Sequence, residues 1–517
     1  MSQLSSDESA RSVAVPPPGD EPTSGLLGWF LRGLALSPDR PALSVGHSVL
    51  TYRELDLSAR TIAGTVLARH PGAVRVGLLA HHTERAYAGF LAALYAGAAV
   101  VPLQPDHPAE RLRAMIEAAG VTVLLVDESG AARLDELSDA LAGVAVIAQE
   151  LAAPSVADAP AVEPDAPAYI MFTSGSTGRP KGVPISHRNI GHYLEFVHER
   201  FGFGTQDVFS QASKLTFDLS LFDLFGAWGG GGTLVAVPAG AYLRLPEFVA
   251  RHGLTVWFST PSVIALVRRC NGLSRHAFPT LRLSLFCGEP LMGVDAAFWQ
   301  EAADDSSVYN LYGPTELTVS CTLHAWDPVA SPARYVNGVV PIGRLHPGLD
   351  HVLYSPDESS PDTGELCVAG PQTLLGYLDP ADDEGRFLER DGRRWYRTGD
   401  VVRRLPDGEL GYVGRRDQQV KISGIRIELR EVEHALRRCT GVDGAVVLAV
   451  GGRLYAYCTG KRTEHSVLLG ELADIVPKEM VPHRIEWVDE FPLNSNGKID
   501  RLTLAAAADG TSARWSD

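Results

Sequence analysis

Residues 173–182 read Thr-Ser-Gly-Ser-Thr-Gly-Arg-Pro-Lys-Gly and directly follow the apolar, strand-like run 168–172. The hydroxyls of Thr173, Ser174, Ser176 and Thr177, with the backbone amides around Gly175 and Gly178, form a short loop able to wrap phosphate oxygens. Lys181 adds positive charge. The loop is not a Walker A motif, which needs Ser or Thr after the lysine, whereas Gly182 follows Lys181. Other polar residues say little when read singly. Gly399-Asp400 alone is a turn, and Lys498, beside Asp500 and Arg501, is a solvated lysine.

Such a loop needs a scaffold of strands and helices. Short apolar runs at 74–79, 121–126, 255–258 and 281–286 alternate with Ala-, Leu- and Arg-rich segments, the pattern of α/β layers built on mostly parallel sheets. Residues 86–103 carry no charge, but Gly97 and Pro102 interrupt them. They predict a buried helix followed by a strand rather than a membrane span. Between 335 and 413, turns such as Asp407-Gly408 separate short runs, predicting a β-rich, barrel-like subdomain. The expected organisation is a disordered tail at 1–22, a large mixed α/β core domain at 23–416, a small mobile α+β lid domain at 417–506 and a second tail at 507–517.

Composition narrows the function classes. The chain has 517 residues, 45% hydrophobic and 21% charged, ordinary values for a globular protein. The 62 acidic residues outnumber 46 basic ones, for a net charge of -16, which argues against nucleic acid or an anionic membrane as partner. The six cysteines are scattered without a CxxC pair, and the N-terminus lacks a secretory pattern. Both fit a cytoplasmic protein without structural zinc or disulfides.

The loop resembles the phosphate loop of the adenylate-forming superfamily, which includes acyl-CoA synthetases, luciferases and the adenylation domains of nonribosomal peptide synthetases. Further motifs of that family follow in order: LTYREL at Leu50, LYAGAAVVPL at Leu94, FDLS at Phe217, NLYGPTE at Asn310, GELCVAG at Gly364, YRTGD at Tyr396, GRRDQQVKISGIRIEL at Gly414 and NSNGKIDR at Asn494. The resemblance implies ATP and Mg2+, with Tyr312 stacking on adenine, Thr315 on phosphate, Glu316 on the metal and Asp400 accepting the ribose hydroxyls. It adds Gly288, Glu289, Asn310, Gly313 and Arg415 to the nucleotide site. Lys498 is the implied catalytic cation of the first half-reaction, and Asp417 the hinge on which the lid rotates to expose a tunnel for a phosphopantetheine arm.

The same resemblance places Asp218, Leu219, Phe222, Phe258, Leu285, Cys287, Leu311, Val319 and Ser320 around the acid to be activated. A carboxylate in an apolar pocket is costly unless it meets a cation, and an amino-acid ammonium is the natural partner. With no second charge, the pocket calls for a short aliphatic side chain. The lining is similar to that of stand-alone prolyl-adenylating enzymes, so L-proline is the leading expectation, with valine, isoleucine, alanine and β-amino acids as alternatives. No phosphopantetheine-site serine motif follows Lys498, and the expectation is a free-standing ligase that loads a carrier protein in trans. An acyl-CoA ligase for a small carboxylic acid is the runner-up, and a nucleotide-binding scaffold without activity is a third reading.

Overall fold

The structure is a computed structural model that describes residues 25–148, 155–156, 158–175, 178–355, 362–416, 419–493 and 499–508. Two large sheets form its body. The six-stranded sheet runs in the order Ala145–Ile147, Val123–Val126, Arg75–Leu79, Ala99–Leu103, Pro167–Thr173, Lys181–Ser186. All its neighbours are parallel except the last pair. The uncharged stretch is the helix Glu84–Tyr95 and the buried strand Ala99–Leu103, as its spacing predicts. No helix among the described residues is long and apolar enough to cross a membrane.

The nine-stranded sheet has a parallel centre built from Ser307–Tyr312, Leu283–Phe286, Val256–Ser259, Val208–Gln211 and Thr233–Ala236. The four-residue strands there are buried on nearly every residue, as strands covered on both faces must be. The helix Leu219–Gly230 is buried at every position, which its composition of Leu, Phe, Trp, Ala and Gly allows. It holds Asp218 at its N-terminus. The helices Tyr52–Arg69 and His187–Phe201 both open with reciprocal capping boxes, Thr51 with Glu54 and Ser186 with Asn189.

Between 350 and 415 the chain forms an antiparallel sheet in which the long strand Arg393–Arg404 pairs with Thr363–Ala369, Phe387–Arg390 and Leu410–Arg415. Beyond it, the hairpin Gln419–Ile422/Ile425–Glu428 leads into the helix Leu429–Arg438 and a three-stranded sheet. This C-terminal lobe has its own core around Ile427, Val432, Leu436, Val447 and Leu468. Asp417 and Lys498 lie outside the described residues, as do Ser176 and Thr177.

Candidate active site

The phosphate-loop residues occupy the tip of the antiparallel pair Pro167–Thr173 and Lys181–Ser186, in which Thr173 is opposite Lys181. The tip docks on the C-terminal lobe. Ser174 Oγ donates to the Arg426 carbonyl at 2.7 Å and accepts the Glu428 amide at 3.2 Å. The Gly175 amide donates to Glu431 Oε2 at 3.1 Å. A side chain at Gly175 would collide with the Arg179 carbonyl, and Gly178, at φ +82°, lies against the His434 ring. Lys181 is buried, with its Nζ 3.2 Å from Asp382 and over the Tyr377 ring.

Glu316 sits in a single 3-10 turn, Thr315–Leu317, and is 1% exposed. Burial opposes its ionisation. The Arg426 guanidinium, whose Nη1 lies 2.7 and 3.0 Å from the two carboxylate oxygens, and the Tyr377 hydroxyl at 2.6 Å outweigh burial and hold the carboxyl at about 2. An ionised, buried carboxylate is the donor a hard divalent cation prefers, but here Arg426 has both its oxygens.

Tyr312 and Asp400 come together from separate sheets. The Tyr312 hydroxyl donates to Asp400 Oδ2 at 2.6 Å, and Arg415 Nη1 donates to Oδ1 at 2.8 Å. Burial and Asp400 both keep the Tyr312 phenol protonated. Glu365, which sequence reasoning missed, fixes the irregular part of the strand Arg393–Arg404 that presents Asp400: it accepts the Gly399 amide and binds Arg397 and Arg416. A cavity of about 350 Å³ opens beside this pair, lined by Gly288, Glu289, Leu311, Tyr312, Ile342, Asp400, Tyr412 and Arg415 among others. Asn310 also lines it, with its Nδ2 donating to the carbonyls of Val340 and Pro341. Glu289 accepts amides from Ser262 and from Gly424 of the C-terminal lobe.

Asp218 occupies the N-cap position of the helix Leu219–Gly230 but makes no capping hydrogen bond. It is 7% exposed, and its Oδ2 has no partner. Burial pushes its carboxyl up to about 6, with Thr315 and Lys421 opposing that shift. A cavity of about 120 Å³ beside it is lined by Phe217, Leu219, Gly288, Gly313, Thr315 and Lys421, and runs outward past His107, Lys214, Pro477, Glu479 and Met480. The Lys214–Glu479 ion pair, at 2.9 Å, joins the two lobes along that path.

The remaining predicted pocket residues are buried, and none lines this cavity. Phe222 and Phe258 pack ring against ring at 4.6 Å. Leu285 is fully buried, the Cys287 thiol points at the Val319 carbonyl at 3.8 Å, and Leu311 faces the other cavity. Val319 and its neighbour Thr318 both have positive φ, +65° and +62°, which is strained for β-branched residues. Gln372 secures that turn: its Nε2 donates to the Ser320 and Leu317 carbonyls at 2.7 and 3.1 Å, with the Thr318 carbonyl sharing a hydrogen at 3.4 Å. Behind Asp218, the hydroxyls of Tyr169, Tyr193, Ser220 and Ser320 are buried without partners. The sequence showed none of this layer except Ser320, because Tyr169 and Tyr193 sit where apolar periodicity predicts plain core.

Known proteins similar to this chain point to its family. The family described as AMP-binding enzyme matches residues 30–378. The L-proline–(L-prolyl-carrier protein) ligase of Pseudomonas fluorescens is 34% identical, over 93% of this chain and 99% of that protein. Among solved structures, IdnL7 is 48% identical with a TM-score of 0.73, covering 95% of this chain and 100% of its own. The Vibrio cholerae adenylation domain AlmE, solved with glycyl-adenosine-5'-phosphate, is 29% identical with a TM-score of 0.82, covering 94% and 98%. Phosphate loop, paired Tyr312 and Asp400, buried Glu316 and these likenesses together lead to one conclusion: the chain belongs to the AMP-binding enzyme family of adenylate-forming ligases.

Proposed function

We propose that this enzyme activates a small apolar amino acid, L-proline first, and then passes it to the phosphopantetheine thiol of a separate carrier protein. In the first half-reaction a carboxylate oxygen bonds to the α-phosphorus of ATP and the bond to pyrophosphate breaks. In the second, the thiol sulfur bonds to the acyl carbon, AMP leaves and the thiol proton is released. Residues 173–178 and Lys181 would hold the phosphates, Tyr312 the base, Asp400 and Arg415 the ribose side, and Thr315 a phosphate oxygen. Lys498 would supply the mobile cation, with Asp417 as hinge between a core at 23–416 and a lid at 417–506. Glu316 fits magnesium, which when bound would neutralise phosphate charge; Arg426 must first release the carboxylate.

The observation that carries the reading is Asp218: a buried carboxylate at a helix N-terminus, with an idle oxygen and no capping role. An amino-acid ammonium supplies the missing charge and donors. The cavity of about 120 Å³ supports a short side chain, and the amino acids of two relatives, the proline of the Pseudomonas fluorescens ligase and the glycyl group bound by AlmE, are both small. Amino-acid-dependent ATP–pyrophosphate exchange, run across the amino acids with small carboxylic acids as controls, tests it. Exchange with proline or another small aliphatic amino acid is expected. Exchange driven only by acids lacking the ammonium would reject it in favour of an acyl-CoA ligase.

A further inference from the structure

The phosphate loop is already occupied by a carboxylate of the protein itself. Glu431, in the first turn of the helix Leu429–Arg438, is 2% exposed. Its Oε2 accepts the Gly175 amide at 3.1 Å, while its Oε1 takes the Arg111 guanidinium at 2.6 Å. Arg111 comes from the helix Ala109–Ala119 of the other lobe and its side chain is 9% exposed. Its Nε is buried without a partner. An amide and a guanidinium converging on two oxygens of one anion is how proteins bind phosphate, and a carboxylate presents a similar pair of oxygens.

We propose that Arg111 and the Gly175 amide form part of the pyrophosphate-binding site, and that Glu431 is the resident anion that takes the place of pyrophosphate on them when the lobes dock as they do here. This rests on the proposed phosphate role of residues 173–182. Pyrophosphate and Glu431 cannot both hold the same donors, so this docking forms only once pyrophosphate has left. The contact is buried, so salt screens it poorly. A second exchange accompanies it: Arg426, five residues before Glu431, covers the Glu316 carboxylate that suits magnesium. A single movement of the segment 426–431 therefore removes both groups that imitate magnesium pyrophosphate. Arg111 then acts as a phosphate ligand in one arrangement and as a docking residue in the other.

The test uses the full chain with inorganic pyrophosphate as probe and reads amide hydrogen exchange of residues 425–438, which requires neither amino acid nor carrier. Pyrophosphate should accelerate exchange there about threefold or more in the wild type, as the docked arrangement opens. Glu431→Met should exchange fast at the outset and respond little. Arg111→Met should need about tenfold more pyrophosphate for the same effect. The double variant Arg111→Glu/Glu431→Arg rebuilds an ion pair but takes the carboxylate off Gly175, and should behave like Glu431→Met. Recovery of wild-type protection and response in the double variant would show a plain interlobe bridge and overturn the proposal. So would a wild type indifferent to pyrophosphate. Neither result depends on which acid is activated, so failure here is separable from failure of the proposed reaction.

Discussion

The two halves of the cleft treat their polar groups differently. On the side proposed for the nucleotide, the principal described groups have protein partners: Glu431 on the Gly175 amide, Arg426 on Glu316, Tyr312 and Arg415 on Asp400, Asp382 on Lys181. On the amino-acid side, Asp218 Oδ2 and the hydroxyls of Tyr169, Tyr193, Ser220 and Ser320 have none. Groups that must bind and release an anion in each cycle need an alternative partner, because a buried charge left bare costs several kcal/mol. A pocket that waits for one ligand in one place can leave that cost standing and recover it on binding. Under the proposed function, the nucleotide side would exchange partners and the amino-acid side would be completed.

The largest effect should come from breaking the waiting side. Asp218→Asn is expected to lower kcat/KM for the amino acid in pyrophosphate exchange about a hundredfold or more, equivalent to about 3 kcal/mol. The KM for ATP should change little, because the groups proposed for base and ribose, Tyr312, Asp400 and Arg415, line the other cavity. The same residue sets a pH dependence. Its carboxyl stands at about 6 in the free protein, so an ammonium must bind the ionised form. Below about pH 6, KM for the amino acid should rise about tenfold per pH unit, and above it should level off. For stability the sign is opposite: a raised carboxyl favours the folded state at low pH, and that contribution is lost as pH rises through 6. Measuring KM from pH 5 to 8 checks the binding limb, which should be absent in Asp218→Asn.

The next effect comes from the exchanging side. Arg426→Met leaves Glu316 buried and ionised without its cation, which should cost about 3 kcal/mol of stability. Magnesium can replace the missing charge, so the variant's thermal midpoint should climb with added magnesium while the wild type, already paired, responds less. Equal responses would mean that Glu316 does not change partners, and the contrast between the two sides would weaken.

How much of this was legible in the sequence follows the same division. Groups named by local motif came out together: Thr315 and Glu316 on one turn, Tyr312 against Asp400, Asp218 at the mouth of an apolar helix. The α/β layers and the buried helix and strand of residues 86–103 followed from periodicity. The partners did not. Arg426 lies in, and Glu431 just beyond, a motif from which the resemblance implied only Arg415 and the hinge Asp417, and their contacts are 110 residues away at Glu316 and 256 at Gly175. No local pattern encodes a pairing across that distance. Phe222 and Phe258 were assigned to the pocket wall, yet each buries its ring against the other, since apolar character alone cannot distinguish a wall from the core behind it.

Tyr193 gives the smallest and sharpest measurement. Its hydroxyl is fully buried and nears the Ser320 side chain without reaching hydrogen-bond geometry. A buried hydroxyl in that state contributes little to the fold, so removing it from the free protein should be neutral or stabilise it by about 1 kcal/mol. If the layer behind Asp218 completes its hydrogen bonds only when the amino acid is bound, Tyr193→Phe should also raise the amino-acid KM by about threefold to tenfold, with kcat nearly unchanged. Thermal unfolding and exchange kinetics on one preparation separate the two effects. A variant that loses stability and keeps its KM would return Tyr193 to the core and confine the waiting side of the cleft to Asp218.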